Sequence, residues 1–185
     1  LLRSPRGTPE SLLAVDLLAR LTQAEPSADL SELVHQSLDD AFERSGVAHR
    51  AQLWRTAARL HSQHLSRLVA VHRPTVASLD LGRDTEETLS AFALAVARCP
   101  KRQAQRELDV LLRSNHTRVR LAAVKSVSGE HDRLVDTLID LLEDPSIEVA
   151  RQAARSLKRH DNQDALRALW VIETSGDPRS LLPTP

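Results

Sequence analysis

Histidines and acidic residues are the first side chains in this sequence whose types and spacing suit metal chemistry. Glu32 and His35 form a Glu-x-x-His motif, and His61 and His64 stand about one helical turn apart in the stretch HSQH. Di-iron helical bundles use two Glu-x-x-His motifs and two further glutamates from facing helices. The sequence has no second motif of this kind and no cysteine cluster for zinc. We therefore predict no metal site and no cofactor, and we expect His64 at the edge of a packed helix face.

Nucleophilic catalysis has equally little support in the sequence. Cys99 is the single cysteine, and a catalytic thiolate needs a neighbouring base or cation, for which the sequence gives no indication. The five glycines are scattered and form no phosphate-binding loop. We therefore predict no catalytic residue and no enzyme activity, with Cys99 as a small buried side chain. A lone cysteine also fits a reducing compartment, so we expect a cytoplasmic protein.

Basic side chains recur in the second half of the chain. Lys125 and Arg155 occupy equivalent positions in two predicted helices. In a stack of helical hairpins one helix of each hairpin lines a concave face, so such a row suits an acidic protein or a phosphate group. The predicted partner surface comprises Lys125, Arg151, Arg155 and Arg159, with Arg118 and Arg120 at its rim.

Two other interpretations of this basic row stay open. Glu148 and Gln152 are interspersed in it, as they would be in an ordinary solvated helix face. The row would also suit the backbone of a nucleic acid. Zero net charge, an aromatic content of 2% and the lack of a helix-turn-helix signature disfavour that partner. A protein partner is therefore our first hypothesis, and a regulatory nucleic-acid-binding module is the alternative.

The elements that position these residues are predicted to be helices. The chain has five glycines, two phenylalanines and no tyrosine, and it is rich in Leu, Ala, Arg and Glu. This composition favours helix over strand. Hydrophobic residues make up 41% of the 185 residues, which is enough for a packed core. No apolar run reaches the roughly 20 residues that span a bilayer.

Capping residues divide the first half of the chain into four predicted helices. Leu13 and Leu17 recur on one face of the first helix, and the third is predicted to continue unbroken until Pro74 stops it. The predicted ranges are 8–21, 29–46, 49–72 and 84–99.

The second half repeats with a period of about 30 residues, within the range of helical-repeat architectures. Each unit is predicted to be two antiparallel helices, with Asp144 capping the second helix of one unit and Pro145 at its first position. An isolated hairpin cannot hide its apolar faces, so neighbouring hairpins must stack. The repeated pairs are Leu108 with Leu138, Leu111 with Leu141, Leu112 with Leu142, Val119 with Val149, Ala123 with Ala153, and Val127 with Leu157.

The stretches LDVLLRSNHTRVRLAAVKSV and LIDLLEDPSIEVARQAARSLKRH resemble HEAT repeats, especially the short bacterial type related to the phycobilin-lyase HEAT-like group, over about residues 102–177. The resemblance implies an all-α fold, a HEAT-like α-solenoid in which antiparallel helix pairs form a right-handed superhelix. It also implies a scaffold that binds other proteins. No chromophore-binding signature of the lyases accompanies it.

The repeats divide the chain into an N-terminal helical region, 1–73, and a HEAT-like array, 74–185. We expect the first three helices to form an irregular cap, because an uncovered terminal hairpin exposes leucine to water. Trp170, in the last full helix, is expected in the core, with an exposed anchoring patch as the alternative. Asp177 and Pro178 would begin one more second helix, in the stretch RSLLPTP. Since the sequence contains no methionine, we expect it to be part of a longer protein.

Overall fold

The computed structural model describes residues 13, 16–17, 19–20, 28–60, 62–74 and 83–175. Within these residues the regular elements are helices and none is a strand, which confirms the all-α fold class. The α-helices are α1 (Ala28–Arg44), α2 (Val47–Ala57), α3 (Ser62–His72), α4 (Arg83–Val96), α5 (Lys101–Leu112), α6 (Thr117–Ser126), α7 (Val135–Asp140), α8 (Ile147–Leu157) and α9 (Gln163–Ser175). Two 3-10 turns, Asp132–Leu134 and Leu141–Glu143, flank α7. None of these helices combines the length and the apolar content that crossing a bilayer requires.

The chain divides into two compact units, Leu1–Ala104 (the N-unit) and Gln105–Pro185 (the C-unit). The boundary between them falls inside α5. The division at residue 73, drawn from the sequence, stays a prediction.

An aromatic cluster forms the centre of the N-unit, where α1, α2 and α4 meet. The ring centroid of Trp54 on α2 lies 4.6 Å from that of Phe42 on α1 and 4.7 Å from that of Phe92 on α4. All three rings are buried, and Trp54 is completely so. Such rings bury about 150–250 Å² each, so this cluster dominates the core of the unit. α2 and α4 pack closely against each other, and α3 contacts both α1 and α4.

The prediction of one long third helix is wrong, because the region forms two helices, α2 and α3. The backbone N–H groups of Ala58, Arg59 and Leu60 donate to the carbonyls of residues 54, 56 and 57 and close a turn at the end of α2. Leu60 is buried in this turn, so the break contributes to the core. No glycine or proline marks the break, and the apolar residues on its two sides follow one helical period. The error follows from that continuity.

Two leucines expected on the buried face of the first predicted helix are exposed. Leu13 and Leu17 are helical but 69% and 61% exposed, whereas Asp16 is buried. The Asp16 carboxylate accepts hydrogen bonds from Thr56 Oγ1, at 3.2 Å, and from the Arg59 guanidinium. These contacts with α2 and its following turn supply the donors that a buried carboxylate requires. The rest of this predicted helix, the connection 75–82 and His61 lie outside the described residues.

The C-unit consists of stacked helical hairpins, as the repeated apolar spacing predicts. α6 and α8 pack against each other, α7 packs against α8, and α9 packs against both α7 and α8. The repeated apolar residues line the interior, with Leu142 half-buried and the others buried. The buried residues are Leu108, Leu111, Leu112, Val119, Ala123, Val127, Leu138, Leu141, Val149, Ala153 and Leu157.

Polar contacts fasten successive hairpins of the C-unit. Thr137 Oγ1 on α7 donates to Asp109 Oδ1 on α5 at 2.8 Å and accepts from Arg113 Nη2 at 3.0 Å. Thr137 is buried, whereas the side chains of Asp109 and Arg113 are 41% and 61% exposed, so these bonds lie at the edge of the contact. They set how α5 and α7 lie alongside each other.

The prediction that Asp144 caps α8 is wrong. α8 begins at Ile147 with Ser146 at the N-cap position. Asp144 lies two residues earlier, where its Oδ1 accepts the backbone N–H of Ser146 at 2.8 Å. Its carboxylate also faces Arg120 of the preceding hairpin, with Arg120 Nε 2.7 Å from Oδ2 and Nη2 2.9 Å from Oδ1. This ion pair, and not a helix cap, explains the acidic residue at this position.

Candidate interaction surface

Arg120 is held inside the C-unit by its contacts. Its side chain is 12% exposed and that of its partner Asp144 is 2% exposed. Arg120 Nη1 also donates to the carbonyl of Ser114 at 2.8 Å. All three nitrogens of the guanidinium therefore have an acceptor, and the residue joins two hairpins. Its charge is neutralised within the fold.

Lys125 and Arg155 lie at equivalent positions of α6 and α8, and both are exposed. The two helices pack side by side, and packed helices have axes about 8–10 Å apart. Each residue stands in the last turn of its helix, where a cation interacts favourably with the helix dipole. We call these two residues the basic row.

The other predicted partner residues differ in their surroundings. Arg118 is exposed at the start of α6. Arg151 is half-buried on α8, and its Nε has no hydrogen-bond partner within the described part of the chain. Arg159 follows α8 and donates from Nη2 to the carbonyl of Val127 at 3.0 Å and to Ser156 Oγ at 3.1 Å. Arg159 thus binds the end of the neighbouring α6, which gives it a structural task.

The charges of the C-unit are segregated between its helices. α6 carries three basic and no acidic side chains, and α8 carries Arg151 and Arg155 against Glu148. The stretch Asp132–Glu143, which contains α7, carries four exposed acidic side chains and one basic. The second helices of the hairpins are therefore the basic side of the unit, although the whole chain is neutral.

Three helices, two in the N-unit and one in the C-unit, end in the same hydrogen-bonded turn. Residues of the two units can therefore be matched by their position in this turn. After α2, α4 and α8 the next three residues donate their N–H groups to carbonyls four, three and three residues back. The third residue of each turn is buried. The turns are Ala58–Arg59–Leu60, Ala97–Arg98–Cys99 and Lys158–Arg159–His160. We call them the arginine turns.

This register identifies further residues that correspond to the basic row. Counting back three residues from the first residue of each arginine turn gives Arg55 on α2, Leu94 on α4 and Arg155 on α8, and all three are exposed. Within the N-unit, α2 and α4 pack together as α6 and α8 do in the C-unit. Arg55 was not among the predicted partner residues, because a fixed repeat period does not align α2. The arginine that recurs after α2, α4 and α8 was the sequence signal that could have identified Arg55.

The central arginines of two turns make similar contacts. Arg98 donates to the carbonyl of Ala58, at the end of the neighbouring α2. Arg159 donates to the carbonyl of Val127, at the end of the neighbouring α6. Carbonyls at a helix end lack intrahelical donors, so each arginine satisfies one of them. The equivalence of the turns therefore extends to how neighbouring second helices are joined inside each unit.

The histidine motif lies in the contact between α1 and α3. The ring centroids of His35 and His64 are 5.5 Å apart, and Glu32 Oε2 is 4.0 Å from His64 Nδ1. Burial, followed by the proximity of His64, lowers the pKa of His35 below its ordinary value. No group of three or more potential metal ligands occurs in the described ranges of the chain. The histidines here pack two helices together.

The expectation that Trp170 fills the core is wrong. Its side chain is 65% exposed on α9, close to Leu166 at 58% and Val171 at 52%. On the same helix Ala165 and Leu169 are buried. α9 thus uses one face to pack on α7 and α8 and turns a second apolar face outward. Cys99, by contrast, is buried, as expected.

The comparisons with known proteins bear on the C-unit. Residues 105–180 match the family model of HEAT repeats. No curated protein and no solved structure shows significant similarity to the chain. The phycobilin-lyase subtype stays a prediction.

Proposed function

We propose that this protein is a non-catalytic interaction scaffold, because residues 105–180 match the family model of HEAT repeats and arrays of such helical hairpins expose extended binding surfaces. We propose further that the basic row of its second helices binds an acidic segment of a partner protein. The observation that carries the proposal is the exposure of Lys125 and Arg155 at one register of two packed helices.

The spacing of the basic row suits carboxylates on a regular peptide. Neighbouring helix axes lie about 8–10 Å apart, and two turns of an acidic helix span about 11 Å. A partner with carboxylates two turns apart would meet both cations at once. Arg118 and Arg151 border the row and add positive potential. Such a surface increases the association rate and loses affinity as salt rises.

The segregation of charge supports a partner on this side. The acidic stretch Asp132–Glu143 repels a polyanion, whereas α6 carries no acidic side chain. An acidic ligand is therefore directed to the second helices by the field of the unit.

A double charge reversal tests the proposal. Affinity capture with the purified chain identifies a partner, and its binding is then compared for K125E/R155E and for R133E/R167E. Both variants change the net charge equally, but Arg133 and Arg167 lie outside α6 and α8. We expect K125E/R155E to lose binding and R133E/R167E to retain it. Equal binding by both variants would exclude the basic row as the partner surface.

The same variants address the nucleic-acid alternative. A fluorescently labelled DNA duplex and an RNA hairpin are titrated with the chain at low salt, where phosphate contacts are strongest. Tight binding that K125E/R155E abolishes, without any captured protein, would replace the protein scaffold with the alternative. We expect no saturable binding to either probe.

A further inference from the structure

Arg151 on α8 carries a guanidinium group that the fold itself does not bind. The residue is half-buried, and its Nε is closed off from water without a hydrogen-bond acceptor in the described ranges. Its two Nη nitrogens have no acceptor among the described residues either, but they are not closed off from water. Arg120 and Arg159, by contrast, donate to carboxylate, hydroxyl or carbonyl oxygens of the C-unit. Arg151 therefore presents a cation that packing holds in place and that lacks an anion.

The repeat does not require an arginine at this position. The equivalent residue of α6, one repeat period earlier, is Leu121, which is also half-buried. A leucine thus satisfies the packing at this position. Arg50 on α2 likewise has an Nε without a partner in the described part of the chain, but the residue one turn later is the buried Trp54. Arg151 differs from Arg50 because an exposed cation, Arg155, stands one turn later.

Arg155 and Lys125 extend the charge of Arg151 into a cluster of three cations. Arg151 and Arg155 are four residues apart, so their Cβ atoms lie about 5–6 Å from each other on one face of α8. Lys125 occupies the register of Arg155 on the neighbouring α6, and packed helices have axes about 8–10 Å apart. None of the three side chains forms an ion pair within the ranges that the structure describes. At these spacings, the long side chains of lysine and arginine reach one common anion.

We propose that this three-cation cluster binds the phosphate group of a phosphorylated serine or threonine in the partner protein. The inference rests on the proposed function and specifies one acidic group of the partner segment. The cluster has three cations beside one acidic residue of α8, Glu148, which leaves two positive charges in excess. A phosphomonoester carries about −1.5 to −2 charges and three acceptor oxygens, whereas a carboxylate carries one charge and two oxygens. The paired nitrogens of an arginine also bind two phosphate oxygens at once.

A nuclear magnetic resonance titration with two defined peptides tests the ligand class. The isotope-labelled chain is titrated with acetyl-Ala-phosphoserine-Ala-amide and with acetyl-Ala-Asp-Ala-amide, and the shifts of the Arg155 backbone amide and the Arg151 Nε–Hε group are followed. We expect the phosphoserine peptide to bind at least about tenfold more tightly, because it adds charge-assisted hydrogen bonds. R151K keeps the charge but lacks the paired nitrogens, so it is expected to weaken phosphoserine binding about tenfold. The matched control R50K is expected to bind as the unchanged chain does.

Three results of this titration would overturn the proposal. They are equal affinity for the two peptides, unchanged phosphoserine affinity in R151K, and equally tight binding of dimethyl phosphate, a phosphodiester that would assign the cluster to a nucleic acid instead. The backbone amide shifts show whether R151K keeps its fold, and the comparison of the two peptides requires no variant.

Partner capture separates this inference from the proposed function. The lysate is treated with phosphatase before capture, and the unchanged chain is compared with K125E/R155E. We expect both the phosphatase and the double variant to abolish capture. Capture that survives phosphatase but is lost in K125E/R155E would overturn the phosphate ligand alone, whereas capture that K125E/R155E retains would overturn the basic row as well.

Discussion

Loss of the Arg120 charge is the most informative perturbation of the stacked hairpins. Arg120 is 12% exposed and Asp144 2% exposed, with two charge-assisted bonds of 2.7 and 2.9 Å between them. Removing one partner of a buried pair leaves an uncompensated charge and costs about 3–5 kcal/mol. Since Arg120 keeps some contact with water, we expect R120M to lower the free energy of unfolding by about 3 kcal/mol.

The matched control is R44M. Arg44 and Asp40 form an ion pair of similar length, 3.0 Å, but their side chains are 51% and 61% exposed. Exposed pairs of this spacing contribute about 0.3–0.5 kcal/mol. R44M is therefore expected to change stability by no more than this. Both variants remove an arginine from an ion pair within one unit. A difference between their stability losses therefore reports the burial of the pair and not the loss of a positive charge.

Urea titration followed by circular dichroism measures both variants. The two compact units are fitted as separate transitions, since a multi-unit chain need not unfold in one step. With a slope of about 1–3 kcal/mol per molar urea, R120M shifts the C-unit midpoint by about 1–3 M, and R44M leaves it in place. The double variant R120M/D144L removes both charges and recovers part of the loss, because the hydrogen bonds to the Ser146 N–H and the Ser114 carbonyl, about 1 kcal/mol each, are still missing. A loss below about 1 kcal/mol for R120M would refute the structural role of the pair.

Two further substitutions test the arginine turn after α8. G129A is expected to lower the free energy of unfolding in urea titrations by about 1–3 kcal/mol, because an added Cβ would lie 2.5 Å from the carbonyl oxygen of Arg159. G46A, with nothing within 4 Å of the added Cβ, is expected to be nearly neutral in the same titrations. Burial lowers the pKa of His160 below its ordinary 6.5; the charge of Asp132 opposes this shift and that of Arg159 adds to it. The unfolded chain therefore binds a proton that the folded chain does not, and stability falls as the pH drops below about 6.5. H160L is expected to stabilise the chain and to remove this part of the pH dependence in urea titrations between pH 5 and 8; an unchanged slope with pH would contradict the assignment.

The parts of the fold that depend on apolar spacing were predictable from the sequence. Leu108 and Leu138, or Val119 and Val149, recur one repeat period apart, and burial of all four follows from the need of each hairpin for a neighbour. The equivalence of Lys125 and Arg155 follows from the same period, since a helix register that fixes the buried side also fixes the exposed one.

The polar contacts were not predictable in the same way. The position of Asp144 before Pro145 predicts a helix cap. Only the location of Arg120 in the structure shows that the Asp144 carboxylate joins two hairpins. A sequence gives the types of two side chains but not the distance between them when they lie on different hairpins. The prediction for Trp170 was wrong for a related reason. Its burial depends on whether another element covers α9, and the sequence of α9 alone does not specify that.

The arginine turns explain why the repeat is easier to recognise in the C-unit than in the N-unit. The interval from Ala97 to Lys158 is close to two repeat periods, whereas the interval from Ala58 to Ala97 is clearly longer than one. The extra length in that interval includes the connection between α3 and α4. Additional residues between packed elements cost little free energy, so a longer interval is compatible with the same helix packing while it removes the alignment on which sequence periodicity depends.

The contacts inside the N-unit nevertheless follow the plan of the matched repeats. Arg98 donates to the carbonyl of Ala58 as Arg159 does to that of Val127, and α2 packs closely on α4 as α6 does on α8. Gln103 Nε2 on α5 donates to the carbonyl of Ser66 on α3 at 3.2 Å, which joins successive first helices as the Thr137 bonds join α5 and α7. The described helices within residues 28–96 therefore repeat the contacts that join neighbouring helices in the matched repeats.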